Sequence, residues 1–513
     1  MVKEAQRIQH QETPLWRESL STTVRLGEVI DAGLRLEAST FNIEARRAVA
    51  CLKASGLPLV PLFGPKGFCH EAHNAFRFKR IYVRPEFGVP FLSSSDIISM
   101  RLEINRYLSK TRTKGLENLL IRKGDVLISR SGTIGNVALA SDTVTGMALS
   151  EDVIRLRAAD LDAAGFVTAF LRSRYGRLQL AQATYGSVVQ HIEPEHLKRM
   201  LIPDLPVIQR IGIGRTVKKA YELRDEANRL LDDADKRLHA RLHLPPLATL
   251  VTHAEGPICN IVRASQLALR FEASFHDPQA EAAERLLNTL DIETTTLEDK
   301  RVTAEIRPIT KFRKRVYVPK GGIPLLSSKQ LFQIDPIDVK GLAKGAHTKD
   351  LQEIALKENM VCVSCSGTIG RVQLIPRYMT GWAANQHATR IMAANTVNPG
   401  YLYAWLASDY GTVLIKRHSY GSVILEIDKE MLGSVPIPIP NLAAINEIGD
   451  LVLKANGMRD EAWQLEREAI GEIEKLVGVS GKSMTTDESI AAISSQDMVT
   501  LPLVAEKSSE YHK

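Results

Sequence analysis

Two stretches of the chain carry hydrophobic residues at a sustained seven-residue spacing. In the first, Ile213, Ala220, Ala227 and Ala234 recur every seven positions, flanked by Leu230, Leu231 and Leu238. In the second, Ile448, Ala455, Ala462, Ala469 and Leu476 recur in the same way, flanked by Val452, Leu465 and Ile473. Such stripes predict long helices that pair along a seam, and alanine on the seam lets two backbones come close. The plainer alternative is two amphipathic helices, each lying on its own domain. Proline-rich segments, "LIPDLP" at 201–206 and "PIPIPNL" at 436–442, mark the boundary before each helix.

Ahead of each long helix the pattern is shorter and mixed. "GDVLISRSGTIGNVALA" (124–140) puts β-branched and apolar residues on both sides of a glycine-bearing turn, which predicts strand, turn and strand. "GFVTAFLRSRYGRLQLAQA" (165–183) has apolar residues at helical spacing, including Phe166, Phe170 and Leu171, and predicts a helix.

Nearly every element is written twice. "SRSGTIG" (129–135) returns as "SCSGTIG" (364–370), 235 positions on. At the same step "LRLEAS" (34–39) matches "LRFEAS", "KRIYV" (79–83) matches "KRVYV", and "RDEA" (224–227) matches 459–462. "GFVTAFLRSRYG" (165–176) matches "GYLYAWLASDYG", and "YGSVVQHIE" (185–193) matches "YGSVILEID". One slip occurs: "GVPFLSSSDI" (88–97) pairs with "GIPLLSSKQL" (322–331) at a step of 234. Collinear matches at one step mean a tandem duplication. Each copy is far longer than a solenoid repeat, so the units are domain-sized.

Antiparallel pairing of the two long helices would set the globular units at opposite ends of a stiff rod, related by a pseudo-twofold. Duplex DNA has approximate twofold symmetry too, so each unit could read one half of a split site. Composition agrees mildly. A formal charge of +7 and a pI near 9.0 over 513 residues lean toward an anionic partner. There is no run of 18 apolar residues and no apolar leader, so neither a membrane span nor a secretory signal is expected. Five scattered cysteines suit a reducing, cytoplasmic compartment rather than a disulfide framework.

The DNA-binding candidates follow from local chemistry. "FRFKRIYV" and "KFRKRVYV" place cations beside aromatics: Arg77, Lys79 and Arg80 in copy one, Lys311, Arg313, Lys314 and Arg315 in copy two. Such groups suit phosphate contacts, with Arg able to reach guanine edges. A charged strand edge would look the same. Ser94 and Ser95, and their counterparts Ser328 and Lys329, could bond bases or sugars, or could cap a helix start together with Asp96 and Gln330. Gly132, Gly135, Gly367 and Gly370 read as structural turn residues, since "SGTIG" is neither a Walker A nor a G-x-G-x-x-G sequence.

Cys362-x-x-Cys365 is half of a zinc motif with no second half, and strand alternation sets the two thiols on opposite faces. No H-E-x-x-H, no G-x-S-x-G elbow and no repeated carboxylate pair is present. No catalytic residue and no metal site is therefore expected.

"GDVLISRSGTIGNV", then "YGS" before a helical segment, "IPDLP" and a long alanine-rich helix, all given twice, resemble the specificity subunits of type I restriction-modification systems. The resemblance runs from about residue 20 to about 477. It implies an α+β chain of two tandem α/β target recognition domains joined by two long antiparallel coiled-coil helices with an internal pseudo-twofold. The expected boundaries are 1–205 and 246–440 for the domains, 206–245 and 441–477 for the spacer helices, and 478–513 for a mobile polar tail. Ala220, Ala227, Ala234, Ala455, Ala462 and Ala469 would pair the helices.

The resemblance further implies a non-catalytic, cytoplasmic prokaryotic subunit that reads a bipartite site on double-stranded DNA, with no membrane. It would dock two methyltransferase (M) subunits and the restriction/translocase (R) subunits. S-adenosylmethionine, ATP and Mg belong to those partners, and this chain would bind none of them. Glu358–Met360 stand where copy one has Lys123–Asp125, and Cys365 replaces Arg130, so an asymmetric target is expected. The alternatives are the specificity module of a related phage-defence methylation system and a self-contained endonuclease with an unrecognised active site.

Overall fold

The computed structural model describes residues 23–480 except 32–33, 35, 37, 132, 183–190, 252–260, 268, 308–313 and 320. Among the site candidates, Gly132, Lys311 and Arg313 lie outside the described residues, as does the polar tail beyond 480.

Copy one builds an antiparallel sheet in the order Cys69–Asn74, Val153–Ala158, Val126–Ser129, Val137–Leu139. Copy two repeats it with Thr303–Arg307, Ala388–Ala393, Val361–Ser364 and Val372–Leu374. Every residue of Val126–Ser129 and of Val361–Ser364 is buried, because both faces of these central strands are covered. A smaller sheet follows in each unit. Gly88–Leu92 lies between Tyr107–Ser109 and Ala148–Leu149, and Ile323–Leu326 lies between Lys340–Leu342 and Ala383–Ala384.

The helix expected across 165–183 is two helices in copy one: α1 (Leu161–Arg172) and α2 (Arg174–Gln182). The chain turns at Ser173, whose backbone is extended and whose hydroxyl bonds the Phe170 carbonyl at 2.6 Å. Gly176 then sits against the end of α1, where a Cβ would stand 2.2 Å from the Phe170 oxygen. The first long helix is α3 (Val207–Arg241). Copy two makes the same corner between α4 (Pro399–Ala407) and α5 (Asp409–Arg417), with Ser408 and Gly411 in the same roles. Hydrophobic spacing runs on through these corners. The Ser-x-x-Gly pair, a hydroxyl that caps followed by a residue without a Cβ, is what breaks the helix.

α3 and the second long helix, α6 (Leu442–Ser480), hold 35 and 39 residues, or roughly 50 and 60 Å at 1.5 Å per residue. Arg224 pairs with Glu466, while Arg237 and Arg241 reach Glu447 at 2.9 and 2.8 Å, so the two run antiparallel. The six seam alanines are all buried. Ile213, Val217 and Tyr221 join Ala469, Ile473 and Val477 in the core of the first unit. Ala227, Leu231 and Ala234 join Ile448, Val452 and Ala455 in the core of the second. Each globular unit is thus completed by one end of both long helices.

Docking onto those helices uses a glycine pair in each copy. A Cβ on Gly165 (α1) would stand 2.3 Å from the Gly214 oxygen (α3), and one on Gly400 (α4) would stand 2.2 Å from the Gly449 oxygen (α6). The units also touch each other directly. Ser99 and Gln333, equivalent positions in the two copies, form an antiparallel bridge. Met100 N donates to Phe332 O at 2.9 Å and Ile334 N to Ile98 O at 2.8 Å.

Candidate nucleic-acid interface

The "SGTIG" segment closes a hairpin, and the serine before it holds the closure. The Ser129 hydroxyl donates to Thr133 O at 2.6 Å and accepts from Asn136 N at 3.0 Å. Ser364 does the same with Thr368 O and Arg371 N, at 2.5 and 2.9 Å. Gly135 and Gly370 take φ of 85° and 84°, and Gly367 takes 76°, conformations that a Cβ disfavours. The glycines shape a turn.

Copy one's basic segment lies extended beside Tyr107–Ser109, with Val83 N bonded to Tyr107 O at 3.0 Å and Ser109 N to Ile81 O at 2.9 Å. Strand alternation then sorts its residues. Phe78, Arg80 and Tyr82 all face the Phe91 ring, at 6.2, 5.5 and 6.2 Å. Arg77 and Lys79 point the other way, are exposed, and have no ion-pair partner among the described residues.

Arg80 is a different case. Both Glu151 carboxylate oxygens accept from its Nη2 at 2.9 Å, and that bond raises the guanidinium's pKa above its ordinary value. Copy two repeats the contact in neutral form, since Arg315 bonds Gln386 at the equivalent place. Lys314 is exposed. Val316 N donates to Nε2 of buried His347 at 2.9 Å, and the ring's Nδ1 faces Asp350 at 2.9 Å. An accepting Nε2 assigns the proton to Nδ1. The Lys340 ammonium lies over the Tyr317 ring at 5.2 Å.

In the serine segments the residue ahead of the candidates bonds the first residue of the turn, and in copy one its hydroxyl also lies 3.0 Å from that of Ser95. Ser93 donates from both N and Oγ to Asp96 at 2.7 Å, and Ser327 bonds Gln330 Oε1 at 3.0 and 2.9 Å. Each box opens a short 3-10 turn, Asp96–Ile98 or Gln330–Phe332. Ser94, Ser95 and Ser328 are half-buried there, and Lys329 is exposed.

Two residues that sequence reasoning missed hold loops onto the long helices. Asp225 accepts from Asp142 N at 2.9 Å, Thr143 N at 3.3 Å, and the Ser141 and Thr143 hydroxyls at 2.7 and 2.5 Å. Asp460 accepts from Arg377 N at 3.1 Å and Tyr378 N at 2.9 Å, the equivalent positions. The repeated "RDEA" carried the signal: a carboxylate in matching register on both helices.

Cys362 and Cys365 are buried in different core clusters on either side of their strand. Burial pushes the Cys362 thiol up to about 12. Among the described residues no group of three or more His, Cys, Asp or Glu is placed to hold a metal. No described helix is long and apolar enough to cross a membrane.

A four-stranded sheet with a pinned hairpin, set by a glycine contact on one end of a long helix, is the repeated unit of this chain. Residues 304–453, most of the second copy, match the family model of the type I restriction modification DNA specificity domain. Three solved structures cover most of the chain at low identity. The S subunit of a type I restriction-modification system from M. genitalium is 14% identical with a TM-score of 0.30, over 83% of this chain and 100% of that one. A structure on complex assembly and conformational transition of the type I R-M system is 16% identical, TM-score 0.26, over 85% and 98%. The HsdS subunit from Thermoanaerobacter tengcongensis is 16% identical, TM-score 0.23, over 83% and 98%. No curated protein matches the chain.

Proposed function

We propose that this chain is the DNA-recognition subunit of a type I restriction-modification complex, and that each unit reads one half of a bipartite site. One observation carries it. A second unit matched as a DNA specificity domain is a copy of the first, and the two are seated at opposite ends of one antiparallel helix pair.

Equivalent residues meeting each other at Ser99 and Gln333 support a pseudo-twofold relation, which suits two half-sites on a duplex. The paired helices act as a coiled-coil spacer that sets the distance between the halves. The units differ at Arg130 and Cys365, and at Glu151 and Gln386, so the halves read are different sequences.

Arg77 and Lys79, with Lys314 and the segment before it, supply the phosphate contacts. The chain itself is non-catalytic. Methyltransferase and restriction/translocase subunits assemble on it and bring the requirements for S-adenosylmethionine, ATP and Mg.

Selection of duplexes from a randomised pool by the full-length protein, followed by sequencing, tests this. Two short unlike blocks at a fixed gap are expected. A single uninterrupted site, or no enrichment over shuffled DNA, would contradict it, and cleavage of plasmid by the chain and magnesium alone would make it an enzyme.

A further inference from the structure

Duplication gives two equivalent junctions where the tip of one unit meets the long helices and the other unit. They are built differently. At the first, Asp335 lies against three arginines: Arg172 of α1 at 3.0 Å, Arg177 of α2 at 2.5 Å and Arg467 of α6 at 2.8 Å. Arg172 continues to Glu466, which also binds Arg224. Asp335 follows directly on the Ser99–Gln333 bridge, so this cluster ties the second unit to the first and to both long helices.

The equivalent junction is held by other contacts: Glu103 pairs with Arg371 of the second unit at 2.7 Å, and buried Arg459 of α6 donates to Met100 O at 3.1 Å. Arg101 stands where Asp335 does and Asp232 where Arg467 does, so the ion pair survives with its signs exchanged, at 3.0 Å on the surface. Ala407, Thr412 and Leu231 replace Arg172, Arg177 and Glu466.

Burial separates the two further. Asp335 and Arg172 are 14% and 5% exposed, with Arg177 and Arg467 at the rim at 33% and 34%, against 36% and 61% for Arg101 and Asp232. Exposed pairs constrain little, whereas removing one partner of a buried cluster is costly. Burial alone would push the Asp335 carboxyl up in pKa, yet the field of Arg172, Arg467 and Arg177 outweighs it and holds it well below the carboxylate range. Asp335 is therefore ionised at neutral pH and works as an anchor.

We propose that Asp335, with Arg172, Arg177 and Arg467, fixes the angle and offset between the two units and so restricts recognition to one gap length. The inference rests on the bipartite reading above. Adding one base pair moves a half-site by about 3.4 Å along the duplex and turns it by roughly 35°. A contact network at hydrogen-bond distances cannot follow a shift of that size without breaking. The helix pair sets the coarse distance, and the cluster sets the tolerance around it.

The pool selection is run with full-length wild type and with Asp335→Asn, Asp335→Glu and Asp232→Asn. Wild type, Asp335→Glu and Asp232→Asn are expected to return one gap. Asp335→Asn should return the same two half-sites at two or more gap lengths. Should Asp335→Asn fail to fold, Arg177→Gln at the cluster's rim decides in the same assay, with the same broadening expected. A single unchanged gap in the neutralised variant overturns the inference alone. Absence of any two-part site for the wild type overturns the proposed function, and this inference with it.

Discussion

Gly165 and Gly214 meet backbone to backbone, and Gly400 and Gly449 repeat the contact in the second copy. A Cβ on Gly214 would stand 1.9 Å from the Asp162 oxygen, whereas one on Gly212, two residues earlier on the same helix, meets nothing within 4 Å. Gly214→Ala should therefore separate α1 from α3 and destabilise the first unit by about 1–3 kcal/mol. Gly212→Ala should instead raise stability by up to about 1 kcal/mol, through helix propensity. Urea midpoints of the two variants are expected to move in opposite directions.

Asp225 binds two backbone amides and two hydroxyls of the 141–143 loop. Bonds to an ionised group contribute about 1.5–3 kcal/mol each, so Asp225→Ala should free this loop before the unit unfolds. Hydrogen exchange at Asp142 and Thr143 should accelerate sharply, while that at Arg377 and Tyr378, held by Asp460, should not change.

His418 carries a pH dependence. Burial, helped by Arg417 and Arg270, lowers its pKa to about 4. Between the ordinary value near 6.5 and about 4 the unfolded chain binds a proton that the folded chain does not. Stability is thus fully present above about pH 6.5 and declines as pH falls toward 4, by no more than about 3 kcal/mol since the ring is only partly buried. His239 is raised by its bond to Asp409 and titrates in the opposite sense. The informative quantity is therefore the difference between wild type and His418→Asn in denaturant melts at about pH 7 and about pH 5. The variant should lose less stability on acidification.

Arg77 and Lys79 are exposed and have no ion-pair partner among the described residues, whereas Arg80 is held by Glu151. Replacing both Arg77 and Lys79 by Ala should weaken DNA binding and reduce the slope of log affinity against log salt by roughly 1.8. Arg80→Ala should change that slope less. Anisotropy titrations across a salt series measure both, and an unchanged slope in the double variant would remove this face from the interface.

Much of the architecture was legible because it was written locally and twice. The hairpins at 126–139 and 361–374 follow from β-branched runs around paired glycines, and the long helices from their alanine stripes. The Ser173 and Ser408 corners were not legible, because hydrophobic spacing continues through them and only a serine hydroxyl with a glycine three residues on breaks the helix. Nor was the fate of Arg80. Its charge is that of Lys79 next to it, and the tertiary fold distinguishes them, through a partner 71 residues away and the Phe91 ring. Asp335 stood in a segment with no charge pattern of its own. Its arginines come from three helices that only the tertiary fold brings together.

Mapping methylated bases across the source genome, with the gene intact and with it deleted, tests the bipartite-reader reading most directly. One split motif, with two unlike halves at a fixed gap, should be present in the first genome and absent from the second. A split motif that persists after deletion, or the loss of an unsplit palindrome instead, would contradict it.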